Sequence, residues 1–152
     1  TLIEGPKPKD RWNRHRHNKL MHQFGDFLGY TLLSEDPKLN NKAGGLVKAM
    51  ENQYYGLTGM AEILIQHGNS NHLTTAQEWL AKADSLMDET LSKERLGRHH
   101  YLRGFLAYRI GNREQAIKQF RSSLKVYKHP ENPSRNALQR LNVKASEGGD
   151  SG

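Results

Sequence analysis

Hydrophobic positions along this chain recur every three to four residues, and nowhere in the strict alternation of a half-buried strand. Leu20, Phe24, Phe27 and Leu28, continued by Leu32, form the first such stripe and predict a helix over about 11–33. The run 34–45, punctuated by Pro37 and by Gly44 with Gly45, reads as a break. Val47, Met50, Tyr54, Leu57, Ala61 and Leu64 then step by threes and fours without a miss. That pattern predicts one long helix, ended by a left-handed cap at Gly68 and by the run 69–71. Leu73, Ala76, Leu80, Ala83 and Met87 make the next stripe, with Thr74 and Gln77 at capping-box spacing.

A fourth helix over about 93–110 is expected to bury Tyr101, Phe105 and Tyr108, flanked by Leu102 and Leu106. Gly111 stops it, and Asn112, with Gln115 three residues on, caps a fifth whose stripe is Ala116, Phe120, Leu124 and Tyr127. The run 129–133 ends that helix. Asn132 and Pro133 are a cap and first turn for a short sixth helix bearing Leu138 and Leu141. The expected architecture is all-α, made of antiparallel helical hairpins. One helical domain is expected over 11–143, preceded by an extended basic arm (1–10, with Pro6 and Pro8) and followed by a disordered tail over 144–152.

At 152 residues the chain has room for one such core. It contains no cysteine, which excludes a disulfide scaffold, a thiolate metal site and a cysteine nucleophile, and leaves the redox compartment and localisation open. No apolar stretch has the length of a transmembrane helix. The first residue is Thr1 rather than methionine, as in a processed or excised chain.

Charge adds a direction. The net +7 is segregated: residues 1–24 carry six Lys/Arg against two acids, 25–94 five against ten, and 95–144 twelve against Glu114 and Glu131 alone. Asymmetry of this size bears on partners rather than fold. The basic third could pair with the acidic middle of its own chain or of a second copy, giving a homo-oligomer. It could equally meet an acidic protein, a nucleic acid or an anionic surface.

Two segments invite comparison as repeats. Ala76, Leu80 and Ala83 are matched forty residues later by Ala116, Phe120 and Ser123. In the second segment Gly104 takes a small-residue position of the first helix, Gly111 starts the turn, and Ala116, Phe120 and Ser123 alternate small and large on the second helix. This unit, 97–128, resembles a tetratricopeptide repeat, with a degenerate copy over 46–87 and a capping helix over 133–143. The departures are Ala107, where that family prefers an aromatic, and a late closing proline, Pro130. The resemblance implies a short solenoid acting as a non-catalytic adaptor or scaffold, whose concave face, lined by first helices, holds a protein partner's acidic or extended segment. In that register the partner-binding residues are Arg98, Tyr101, Tyr108 and Arg109, with Phe105 serving hairpin packing. Lys48 and Asn52 show one spacing of the family's carboxylate clamp, and the rest of that set has no match.

Other chemistries find little support. The sequence has no nucleophile elbow, phosphate-binding glycine loop or H-E-x-x-H. Arg95 and His100 have the Arg-x4-His spacing that resembles the HEPN ribonucleases, a two-residue pattern that arises readily in a basic segment. His15, His17 and His22 cannot converge from a regular helix, adjacent His99 and His100 diverge, and His67 and His72 flank a turn. No metal or cofactor is expected. The rival to a protein partner is nucleic acid: Arg11, Trp12, Arg14, Arg16 and Lys19 combine phosphate-neutralising charge with an aromatic that could stack on a base, and residues 95–144 supply a second basic surface.

Overall fold

The computed structural model describes residues 11–145, with side chains from Arg14 onward. The expected arm over 1–10 and the end of the tail, 146–152, lie outside the described residues. Among these residues every regular element is a helix: α1 Arg11–Leu33, α2 Pro37–Met50, α3 Tyr54–His67, α4 Ser70–Leu86, α5 Lys93–Arg109, α6 Arg113–Val126 and α7 Pro133–Arg140. None is long and apolar enough to cross a membrane. The chain forms two compact units, one ending at Met87 and the other beginning at Asp88.

In the first unit α3 is the central helix, with α1 and α4 packed against it and α2 along α1. Nearly all of α3 from Tyr54 to Ile65 is buried, because a helix apolar on every side must be covered on every side. Close approach of α1 and α3 depends on glycines. A Cβ on Gly25 would strike the Gly56 carbonyl oxygen, one on Gly29 would lie 2.7 Å from Ile63 Cβ, and one on Gly59 would lie 2.8 Å from the His22 carbonyl. Met21 and Leu28 flank the crossing and are almost fully buried.

This unit corrects the expectation over 34–71 in three places. The expected break at 34–45 is mostly helix: Asp36 caps α2 by accepting from the Lys38 amide at 2.9 Å, and Pro37 occupies the first turn, where its missing N–H costs nothing. The long helix expected from Val47 to Leu64 is two helices, because Gln53 is extended (φ −116°, ψ 108°) and Glu51 to Gln53 form a turn. Both sides of that turn, Met50 and Tyr54, are buried, so the stripe runs on across a bend in the backbone. Gly68 is extended (φ −82°) rather than left-handed. Its neighbour Asn69 starts α4, accepting from the Asn71 and His72 amides while His72 Nδ1 accepts from the Asn69 amide at 3.0 Å. The capping box thus belongs to Asn69 and His72. Thr74 lies inside α4, its hydroxyl donating to the Ser70 carbonyl.

Gly44 and Gly45 sit inside α2 with open space where a Cβ would be. Replacing either by alanine is expected to stabilise the protein by about 0.5–1 kcal/mol, since nothing is displaced and the unfolded chain loses freedom. Urea denaturation of the single variants checks this, and a loss of stability would contradict it.

In the second unit α5 and α6 form a hairpin. Gly111 turns it with φ +89°, a conformation that favours glycine, and Asn112 caps α6 through the Gln115 amide at 3.1 Å, as its sequence spacing predicts. A Cβ on Gly104 would come 2.7 Å from the Phe120 ring, and one on Gly97 the same distance from Tyr127 Cβ. Ser123 Oγ donates to the Gly97 carbonyl at 2.7 Å, tying the two helices inside the core. Asn132 caps α7 through the Ser134 amide and also donates to Ser123 Oγ at 3.0 Å and to the Tyr127 carbonyl at 2.9 Å. One buried asparagine therefore fixes α7 to the hairpin. Ala107, Ala116, Phe120, Leu124 and Leu138 form the core beneath.

Candidate functional site

The α-helical period brings Arg98, Tyr101, Phe105, Tyr108 and Arg109 of α5 within an arc of about 100°. The rest of the helix faces inward, with Leu102, Gly104, Leu106 and Ala107 buried. The aromatic stripe is therefore not the buried face it was expected to be: Tyr108 is 54% exposed, and Tyr101 and Phe105, like Arg98 and Arg109, are half-buried. The Arg98 guanidinium lies 5.2 Å above the Tyr101 ring, which restrains a cation at the surface. Tyr101 also meets Phe105 at 5.9 Å and Phe120 of α6 at 5.8 Å between ring centres. Tyr101 is thus anchored in the hairpin and open on one side. The arc holds one acid, Glu94 in the first turn of the helix. Chemically it offers two guanidinium groups for carboxylates and an exposed ring for apolar contact.

Arg14 is half-buried on α1, whereas Arg16 and Lys19 are exposed. Arg11 and Trp12 belong to the first turn of α1, and their side chains lie outside the described residues. Lys48 lies on α2 while Asn52 lies in the turn beyond it, so the clamp spacing between them does not fall on one helix. Arg95 and His100 are about 140° apart around α5, and His100 Nδ1 is 2.9 Å from Gln119 Oε1 of α6.

Several of the histidines are occupied structurally. His22 Nδ1 is 3.4 Å from Asp26 and its Nε2 3.8 Å from buried Glu62, whose other oxygen accepts from Gln66 at 3.3 Å. His72 caps α4, and the His67 ring lies 5.7 Å from that of Tyr30. Among the described residues no three metal-ligating side chains gather as a metal site requires. A cleft of about 630 Å³ beside α6 is lined by Arg113, Lys118, Arg121 and Val143 among others. Its two arginines hold the C-terminal segment, donating to the carbonyls of Leu141 (2.6 Å) and Lys144 (3.2 Å).

Sequence reasoning weighed His99 only as a metal ligand and missed its burial. It is 2% exposed on the inward side of α5, and Arg103 Nε donates to its Nε2 at 3.3 Å. Burial, then the charges of His100 and Arg95, lowers its pKa from 6.5 to about 4, so it is neutral at physiological pH. Its signal was the spacing of His99, Leu102 and Leu106, which puts the imidazole on the core stripe.

Comparisons with protein-family models, curated proteins and solved structures find no match to this chain.

Proposed function

We propose that the α5–α6–α7 unit is a tetratricopeptide-like hairpin with a capping helix, and that the protein is a non-catalytic adaptor. In this reading the outward face of α5 holds an acidic or extended segment of a protein partner. The observation that carries it is the arc itself, in which two arginines flank aromatic rings and Arg98 is held over Tyr101. Small-residue packing at Gly97, Gly104, Ala116 and Ser123 supports the hairpin resemblance, since repeat helices cross closely only where one side chain is small. Arg98 and Arg109 would pair with carboxylates and Tyr108 would cover the peptide backbone.

A fluorescein-labelled glutamate-rich peptide, read by anisotropy, tests this. Arg98→Ala with Arg109→Ala should weaken binding by about tenfold per arginine, a charge-assisted pair being worth about 1.5–3 kcal/mol. Arg16→Gln with Lys19→Gln should leave it unchanged. Nucleic acid is the competing ligand: single-stranded RNA or duplex DNA whose affinity falls steeply with salt, and is lost in Arg16→Gln/Lys19→Gln but not in the α5 variant, would replace the peptide reading.

A further inference from the structure

Helix α1 has two faces of helical spacing. Met21, Gly25 and Leu28 are buried on the side that meets α3, and half-buried Leu32 continues that side. About 150° around the helix, Arg16, Leu20, Gln23, Phe27 and Tyr30 follow a 4-3-4-3 spacing, the seam of a two-helix interface. All five are exposed, Phe27 at 62%, Tyr30 at 54% and Leu20 at 43%. Three large apolar side chains on one solvent-facing stripe are more than scattered exposure produces.

We propose that this seam is a self-complementary surface on which a second copy of the chain docks, with the two α1 helices antiparallel. Charge sets the direction. Parallel helices would bring Arg16 and Lys19 against the same cations of the other copy, a repulsive arrangement. Antiparallel helices centred on Gln23 place Leu20 against Phe27 of the second copy, Lys19 beside its Asp26, and Arg16 over its Tyr30 ring. Each contact then occurs twice about a two-fold axis, as an isologous interface requires. Gln23 meets itself at that axis, where one polar residue in an apolar seam fixes register through a mutual amide hydrogen bond. The seam from Arg16 to Tyr30 is about 21 Å long, which places the interface at the small end of specific ones. The dimer therefore dissociates on dilution.

The chain has no cysteine, so an introduced thiol reports its own position alone. Under mild oxidation of the full chain, Gln23→Cys should form a disulfide-linked dimer, its two thiols meeting at the axis. Arg16→Cys should remain monomeric, since its counterpart lies about 21 Å away. In sedimentation velocity across a concentration series the parent should self-associate, and Phe27→Glu should weaken association by at least about tenfold. Because Phe27 is exposed, the variant should keep its helical circular dichroism. Equal cross-linking of Arg16→Cys and Gln23→Cys would overturn the antiparallel arrangement. A parent that sediments as a monomer throughout, with Gln23→Cys unlinked, would overturn the dimer and leave the seam to a different partner.

Discussion

Gly25→Ala is expected to lower the stability of the first unit by about 3 kcal/mol or more, at or beyond the upper end of what overpacking costs. The added methyl would meet the Gly56 carbonyl oxygen, a backbone atom that cannot rotate aside. Relief would require α1 and α3 to separate. Their separation would open the contacts of Gly29 with Ile63 and of Gly59 with the His22 carbonyl, and would expose Met21 and Leu28. Helix propensity works the other way, since alanine is favoured over glycine by about 1 kcal/mol, so the net loss understates the steric cost. The comparison with Gly44→Ala is the control: the same chemical change, in a helix of the same unit, with open space instead of a carbonyl. Urea midpoints of the two variants should move in opposite directions. If Gly25→Ala matched the parent within about 0.5 kcal/mol, the close α1–α3 crossing would be wrong.

The same glycines mark where the sequence could and could not be read. Gly25 on α1 faces Gly56 on α3, while Gly29 faces Ile63 and Gly59 the His22 carbonyl, and that fit is a three-dimensional fact with only a faint one-dimensional trace. Stripes identified α4, α6 and α7, because each buries one face and the period follows from burial. On α1 and α5 they located the helix and mixed its faces: Leu20, Phe27 and Tyr108 are exposed, and Met21, Leu28, Leu102 and Leu106 are buried. Asn112 and Asn132 were legible as caps because an Asx side chain has one strong local use at a helix start. Pro37 misleads for a related reason: it breaks a helix interior and suits a first turn, and only Asp36 before it decides between them. The stripe from Val47 to Leu64 reports which side chains face the core and is silent about the bend at Gln53. On α5, helix arithmetic alone assembles Arg98, Tyr101, Tyr108 and Arg109. The anchoring of Tyr101 against Phe120 was not legible, since it depends on the room that Gly104 leaves.

Acid is expected to destabilise the protein through His99 before most carboxylates titrate. In the folded chain this imidazole ionises near pH 4, and in the unfolded chain near its ordinary 6.5. The unfolded state therefore binds the extra proton between those values. The stability this histidine contributes is complete above pH 6.5, and it falls away as the pH drops toward 4, by about 3 kcal/mol in all. His99→Gln keeps an acceptor for Arg103 and removes the titration. The stability advantage of the parent over this variant should shrink by about that amount between pH 7 and 4, and taking the difference cancels the other histidines. An advantage that stayed constant over that range would mean that His99 is not held neutral by burial. The effect reaches the proposed binding face because both are on one helix: Arg95, His99 and Arg103 share the side of α5 turned away from Tyr101 and Tyr108. A proton on His99 would put a third cation between two arginines inside the fold. The hairpin that presents Arg98 and Arg109 would then loosen, so below about pH 5 peptide binding by the parent should decline more steeply than that by His99→Gln, the loss common to both being protonation of the peptide's own glutamates.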